Sequence, residues 1–80
     1  GYKPINLGTL QKLAEERKLV SVDAAILGGH GFGRKHDHYK ILGTGVLKTK
    51  IDVCAHAFSA SARTAIEKLG GQATIINLHA

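Results

Sequence analysis

The 80 residues contain one cysteine, Cys54, one proline, no methionine and no tryptophan. A lone thiol excludes an internal disulfide, a usual staple of small scaffolds. No Cys/His set has the spacing of a zinc cage. A domain of this length buries only about 60% of the surface its unfolded chain exposes. The fold must therefore rest on aliphatic residues, on a partner surface or on further chain. The aromatic residues are Tyr2, Phe32, Tyr39 and Phe58, fewer than a stacking platform for single-stranded bases uses. The longest apolar run, Ala24 to Leu27, is far short of the ~20 residues of a membrane span. The opening Gly1-Tyr2-Lys3-Pro4 has no apolar stretch of a signal peptide. It also has no initiator Met, so a cut or processed N-terminus is expected. What the chain does have is a 44% apolar fraction, too high for a disordered tail. The single thiol fits a reducing compartment.

The net charge of +5 is unevenly placed. Lys3, Lys12, Arg17 and Lys18 outnumber Glu15 and Glu16 in the first twenty residues. Arg34, Lys35, Lys40, Lys48 and Lys50 outnumber Asp23 and Asp37 in residues 21–50. Beyond residue 50, Arg63 and Lys68 balance Asp52 and Glu67. Cations gathered in loops suit contact with a polyanion; ordinary surface solubility is the plainer reading.

Hydrophobic spacing predicts an α/β chain. Pro4 to Leu7 reads as a short extended stretch, with Ile5 and Leu7 on one face. Thr9 suits a helix N-cap, and Leu10, Leu13 and Ala14 follow at helical spacing, predicting a helix over 9–18. Leu19 and Val20 are expected to return toward the core. Ser21-Val22-Asp23 offers a second cap for a short helix with Val22, Ala25 and Ile26, ended by Gly28 and Gly29. Gly28 to His38 reads as an exposed loop. Tyr39 to Leu42 reads as a strand with Tyr39 and Ile41 on one face, followed by a Gly43-Thr44-Gly45 turn. Ile51 to Ala57 alternates as one half-buried strand. Ser59 or Ser61 caps a second main helix with the stripe Ala62, Ala65, Ile66 and Leu69, ended by Gly70-Gly71. Ala73 to Ile76 is a last strand. The unit 51–76 is then strand–helix–strand, which favours parallel pairing. In all, two main helices and about four strands are expected in a single small domain.

Motifs for catalysis or cofactors fail on inspection. Gly28 to Gly33 lacks the flanking strand and helix of a dinucleotide loop. Gly43 to Thr49 has Leu47 where a P-loop needs glycine. His30, His36 and His38 lack a completing carboxylate or thiol for a metal. Cys54 and His56, two apart on one strand face, stand ~7 Å from each other, with no base, orienting group or oxyanion site. A small buried thiol and a surface or half-buried histidine are the better reading. Arg34, Lys35 and the protonatable histidines of the loop suit phosphate. So do Lys48, Lys50 and Arg63, which belong to segments able to share one edge near the second helix's start. Helix N-termini favour anions, and Arg63 in the first turn opposes the helix dipole unless an anion is present.

Three stretches carry a resemblance: Tyr39-Lys-Ile-Leu-Gly-Thr-Gly, Ile51-Asp-Val-Cys-Ala-His-Ala-Phe-Ser-Ala-Ser-Ala and Ala65-Ile-Glu-Lys-Leu-Gly-Gly. In this order they resemble the C-terminal domain of the large-subunit ribosomal protein L-fifteen family. Pro4-Ile-Asn-Leu-Gly-Thr-Leu is similar to that family's segment ahead of its first helix. The resemblance implies an α/β domain over 1–80 that packs on large-subunit ribosomal RNA, among neighbouring ribosomal proteins. It implies no catalysis, cofactor, membrane or small-molecule substrate. It also implies a basic, Gly-rich N-terminal extension that these residues do not match. Lys40, Lys48, Ser59, Ser61 and Arg63 fall in the matched motifs, which places the turn and helix start near RNA. Three features depart from the pattern: Gly28 to His38, Cys54 where a charge is common, and Val46 where Glu is frequent. The expected site is thus Arg34, Lys35, Lys40, Lys48, Lys50, Ser59, Ser61 and Arg63. The expected location is a ribosome, cytoplasmic or organellar. The other class of function these residues allow is a protein–protein module with a solvated basic face.

Overall fold

The computed structural model describes residues 1–77. In chain order the elements are β1 (Lys3–Asn6), α1 (Leu7–Arg17), β2 (Ser21–Val22), α2 (Ala24–Gly29), β3 (Tyr39–Leu42), β4 (Asp52–Ala55), β5 (Ala57–Phe58), α3 (Ala60–Lys68) and β6 (Ala73–Ile75). Odd-numbered strands form one parallel sheet in the order β1-β3-β5, and even-numbered strands a second, β2-β4-β6. Each new strand therefore joins the sheet that its predecessor did not. This is the expected α/β class, with the expected parallel pair at the C-terminus: β4 and β6 flank α3 and pair in the register Val53↔Ala73.

The core is aliphatic apart from Tyr39. Ile5 and Ile41 face each other in register on β1 and β3. Leu7, Leu10, Leu13 and Ala14 of α1, Leu27 of α2, Val53 and Ala55 of β4, and Ala62 and Ile66 of α3 are also buried. Among the described residues no side chain of a polar or charged residue is buried. Fully burying one such aliphatic side chain stabilises the fold by ~1.5–3 kcal/mol, which replaces the missing disulfide as the source of stability.

Four expectations are corrected. Helix α1 begins at Leu7, two residues before Thr9. Asn6 occupies the N-cap without a side-chain cap bond, and the Thr9 hydroxyl instead donates to Asn6 Oδ1 at 3.2 Å. Starting early places Leu7 on the same buried stripe as Leu10. Val22 belongs to a strand, paired with Val53; Asp23 alone caps α2, accepting from Ile26 N at 2.9 Å. Leu27 anchors that helix, while Ala25 is exposed. Leu19 packs against the core as expected, but Val20 is 76% exposed. Ile51 to Ala57 is not one strand. The chain breaks at His56 and changes sheets, so Ala57 and Phe58 pair with β3. The alternation of apolar residues runs unbroken through this point, so periodicity could not reveal the crossing.

Helix α3 follows its sequence closely. Ser59 Oγ accepts from Ala62 N at 3.2 Å as N-cap. Gly70, at φ 87°, turns the chain out of the helix in the left-handed conformation open to glycine.

Candidate nucleic-acid interface

Two loops, strand β3 and one helix start carry the site residues. The first loop runs from His30 to His38. It has little regular structure, yet its backbone is held at both ends. Buried Tyr39 sends its hydroxyl back to donate to Arg34 O at 2.7 Å. Asp37 folds under the same residue: its Oδ2 accepts from Arg34 N at 2.8 Å, and its own N–H donates to Arg34 O at 3.0 Å. Burial, then the Asp37 charge, raise the Tyr39 pKa above 10.0, so this hydroxyl remains a donor at neutral pH. Gly28 lies so close that a Cβ there would stand 2.6 Å from Lys35 N. The result is a fixed backbone presenting the exposed side chains of Arg34, Lys35 and His36.

The second segment is Lys48-Thr49-Lys50, after the Gly43–Gly45 turn. Gln11 on α1 clips it. Its Oε1 accepts from Lys48 N at 2.8 Å and from Thr49 N at 3.1 Å, while its Nε2 donates to Thr49 Oγ1 at 3.0 Å and to Glu15 Oε1 at 2.7 Å. Nothing in the sequence signalled Gln11, a polar residue on the outer face of a helix. The aliphatic stem of Lys50 comes near Gly70, at the C-terminal end of α3: a Cβ there would lie 3.8 Å from Lys50 Cε.

The start of α3 lies elsewhere. Gly43, just past β3, is so close to Ser61 Oγ that any Cβ would collide with it. Ser59 Oγ and Ser61 Oγ lie 3.4 Å apart. Arg63 is tied to the protein: its guanidinium sits 5.2 Å from the centre of the Phe58 ring, donates to Ala73 O at 3.0 Å and lies 3.8 Å from Glu67. These contacts offset the unfavourable dipole at the first turn, so Arg63 needs no external anion to be stable there. The structure thus brings Ser59, Ser61 and Arg63 together. It sets Lys50 at the opposite end of the same helix.

Lys40 is half-buried on β3, in register with Pro4 and Ala57. Among the described residues, Arg63–Glu67 is the one ion pair. Arg34, Lys35, Lys40, Lys48 and Lys50 therefore have no carboxylate partner among them.

The histidines hold a different role from the metal or nucleophile readings. His56 lies past the end of β4, so it does not share a strand face with Cys54. Its backbone N–H donates to Tyr39 O at 3.0 Å, and its ring Nδ1 accepts from Tyr39 N at 3.1 Å. The ring thus substitutes for a strand carbonyl and must be neutral at Nδ1. Burial, then the nearby His38, lower its pKa below 6.5. Among the described residues no three His, Cys, Asp or Glu side chains are grouped to hold a metal ion, and no pocket opens.

A family described as ribosomal proteins 50S-L15, 50S-L18e and 60S-L27A matches residues 4–74. Large ribosomal subunit protein uL15 of Amoebophilus asiaticus is 58% identical over 79 residues, covering 99% of this chain and 52% of the relative. The proteins of the same name from Phocaeicola vulgatus and Bacteroides fragilis are each 50% identical, over 72 and 70 residues. They are covered over 49% and 47% of their lengths, against 90% and 88% of this chain. The chain thus spans about half the length of the curated relatives it matches. With the family match running from β1 into β6 and such identity across the interior, the chain belongs to the L15 family of large-subunit ribosomal proteins and corresponds to its C-terminal domain.

Proposed function

We propose that the chain is a structural constituent of the large ribosomal subunit. In this reading it binds large-subunit ribosomal RNA through the Arg34-Lys35 loop, Lys40, the Lys48–Lys50 turn and the Ser59-Ser61-Arg63 helix start. It supports subunit assembly and translation, with neighbouring ribosomal proteins as further contacts. It acts on the ribosome, in the cytoplasm or an organelle, without catalysis or cofactor. The observation that carries the reading is electrostatic. Among the described residues, five cations stand without carboxylate partners, in a chain of net charge +5. A polyanion satisfies that arrangement, and releasing its counterions drives the binding.

The test is RNA binding against salt. Affinity for large-subunit ribosomal RNA should fall steeply with ionic strength. Alanine at Lys48 or Lys50 should each lower the salt slope by about one. Arg63→Ala should lower it less, since that guanidinium is already engaged. The native chain should also travel with large subunits through a high-salt gradient. A free pool alone, or binding indifferent to salt, would overturn the reading and favour the protein–protein module.

A further inference from the structure

Three rings meet at one end of the first sheet. Tyr2, His38 and His56 each immediately precede a strand, β1, β3 and β5 respectively. Because the three strands are parallel and adjacent, the residues just ahead of them come together. The Tyr2 and His38 rings lie 6.5 Å apart, tilted by 46°. The His38 and His56 rings lie 4.6 Å apart, tilted by 32°. The sequence has few aromatic residues, but two imidazoles extend a single phenol into a row across three strands.

The row is built on fixed backbone. Lys3 N donates to His38 O at 2.7 Å, and His56 bonds Tyr39 through both its N–H and its ring. Two of its rings are open: Tyr2 is 50% exposed and His38 is exposed, while His56 is half-buried. One cation shares its face: Lys40 follows the strand alternation of His38. Lys3 pairs in register with buried Tyr39 on the other face. Among the described residues no carboxylate touches the row. Asp37, next to His38, spends its Oδ2 on Arg34 N.

We propose that Tyr2, His38 and His56 form a stacking site for an unpaired RNA base, with Lys40 meeting a flanking phosphate. This rests on the RNA-binding reading above and deepens it from phosphate contact to base contact. Unstacked bases are recognised by laying their π-faces on aromatic rings. Rings held in advance lose little freedom on binding. A cation on the same face with no acid at the row selects a nucleotide over an apolar peptide.

The experiment titrates the chain with two probes: a single-stranded RNA nonamer with 2-aminopurine at its centre, and the same RNA as a duplex. The intact protein should bind the single strand more tightly and change the 2-aminopurine fluorescence. His38→Ala and Tyr2→Ala should each weaken single-strand binding at least fivefold, leaving duplex binding and the salt slope unchanged. That loss sits at the low end of stacking on one side chain, about 1 kcal/mol. His38→Phe, which keeps a ring, should restore it, which separates stacking from a folding defect. Lys48→Ala should weaken both probes. If the ring variants bind like the parent while Lys48→Ala is weakened, the stacking site is wrong and the RNA reading stands. If neither RNA binds in a salt-dependent way, both fall. Ring resonances that ignore RNA and respond only to a neighbouring ribosomal protein would also overturn the stacking site, assigning the row to protein contact.

Discussion

The Arg34–His36 tip and the Lys48–Lys50 turn present similar cations but are anchored from opposite sides of the surface. The first hangs from the core. Tyr39 is fully buried, and its hydroxyl reaches out to the Arg34 carbonyl at 2.7 Å. The second is clipped from outside, by the Gln11 amide on the surface of α1. Both devices bond backbone and leave the charged side chains free for a partner. They differ in what replaces them when lost. Water can take over the exposed Gln11 bonds, whereas the Tyr39 ring that carries the other anchor is part of the core, and removing it leaves a cavity. Loop order in this domain is thus linked to core stability on one side and is nearly independent of it on the other.

The largest effect should come from Tyr39→Ala, which empties the core beneath the first loop. A loss of about 3–5 kcal/mol is expected, a large fraction of a small domain's 5–15 kcal/mol, read by chemical denaturation. Tyr39→Phe sharpens the contrast. It should cost about 1 kcal/mol and raise hydrogen exchange at Asp37 N–H, leaving Lys48 and Thr49 unchanged.

Acid should act on the same side of the molecule. The folded-state pKa of His56 lies below its ordinary 6.5, so the unfolded chain takes up the proton first. The contribution of His56 is complete above about pH 6.5 and is lost as pH falls through that value toward the lower folded pKa. Protonation at Nδ1 also places two donors, His56 and Tyr39 N–H, against each other. Melting temperature followed from pH 8 to pH 5 should decline, and His56→Gln should flatten the decline. A wild-type curve that is level over this range would remove the histidine from the account.

Gln11→Ala should cost less, about 0.5 kcal/mol, and should release the amides of Lys48 and Thr49 while Arg34 and Asp37 keep theirs. Exchange measured by NMR in the two variants, Tyr39→Phe and Gln11→Ala, would test whether the two anchors are independent. Loss of protection at both loops in either variant would break the comparison. The smallest effect should be Glu67→Gln. Its partner Arg63 is 3.8 Å away, with both side chains substantially exposed, and such pairs contribute about 0–1 kcal/mol. Arg63 retains Phe58 and the Ala73 carbonyl, so a melt at low salt should move little.

Helix α3 is legible apart from the choice between Ser59 and Ser61 as its cap, because its signals are local. Ser59 caps the first turn, Ala62 and Ile66 repeat at helical spacing, and Gly70 supplies the turn out. Strand β3 was legible for the same reason, from Tyr39 and Ile41 two apart. The start of α1 departs from expectation because two local signals compete, a threonine suited to capping and a leucine suited to burial, and burial of Leu7 decides it. Val22 departs from its expected helix because a short apolar segment carries too few residues to show a period. The break at His56 left no trace, since an alternating pattern looks alike whether one strand or two successive strands carry it.

The candidate site divides the same way. That cations gather before residue 51 was plain from composition, and the family resemblance was plain from ordered motifs. Which cations lack acid partners required the fold, because pairing depends on residues far apart in the chain. Gln11 and Thr49 meet across 38 positions, and Tyr2 meets His38 across 36. By itself the sequence determined the class of fold, the two main helices and the basic character, which arise from neighbours along the chain. Only the tertiary structure decided that the strands alternate between two sheets. Parallel pairing brings together residues that are distant in sequence, and that pairing also aligned a tyrosine and two histidines into one row.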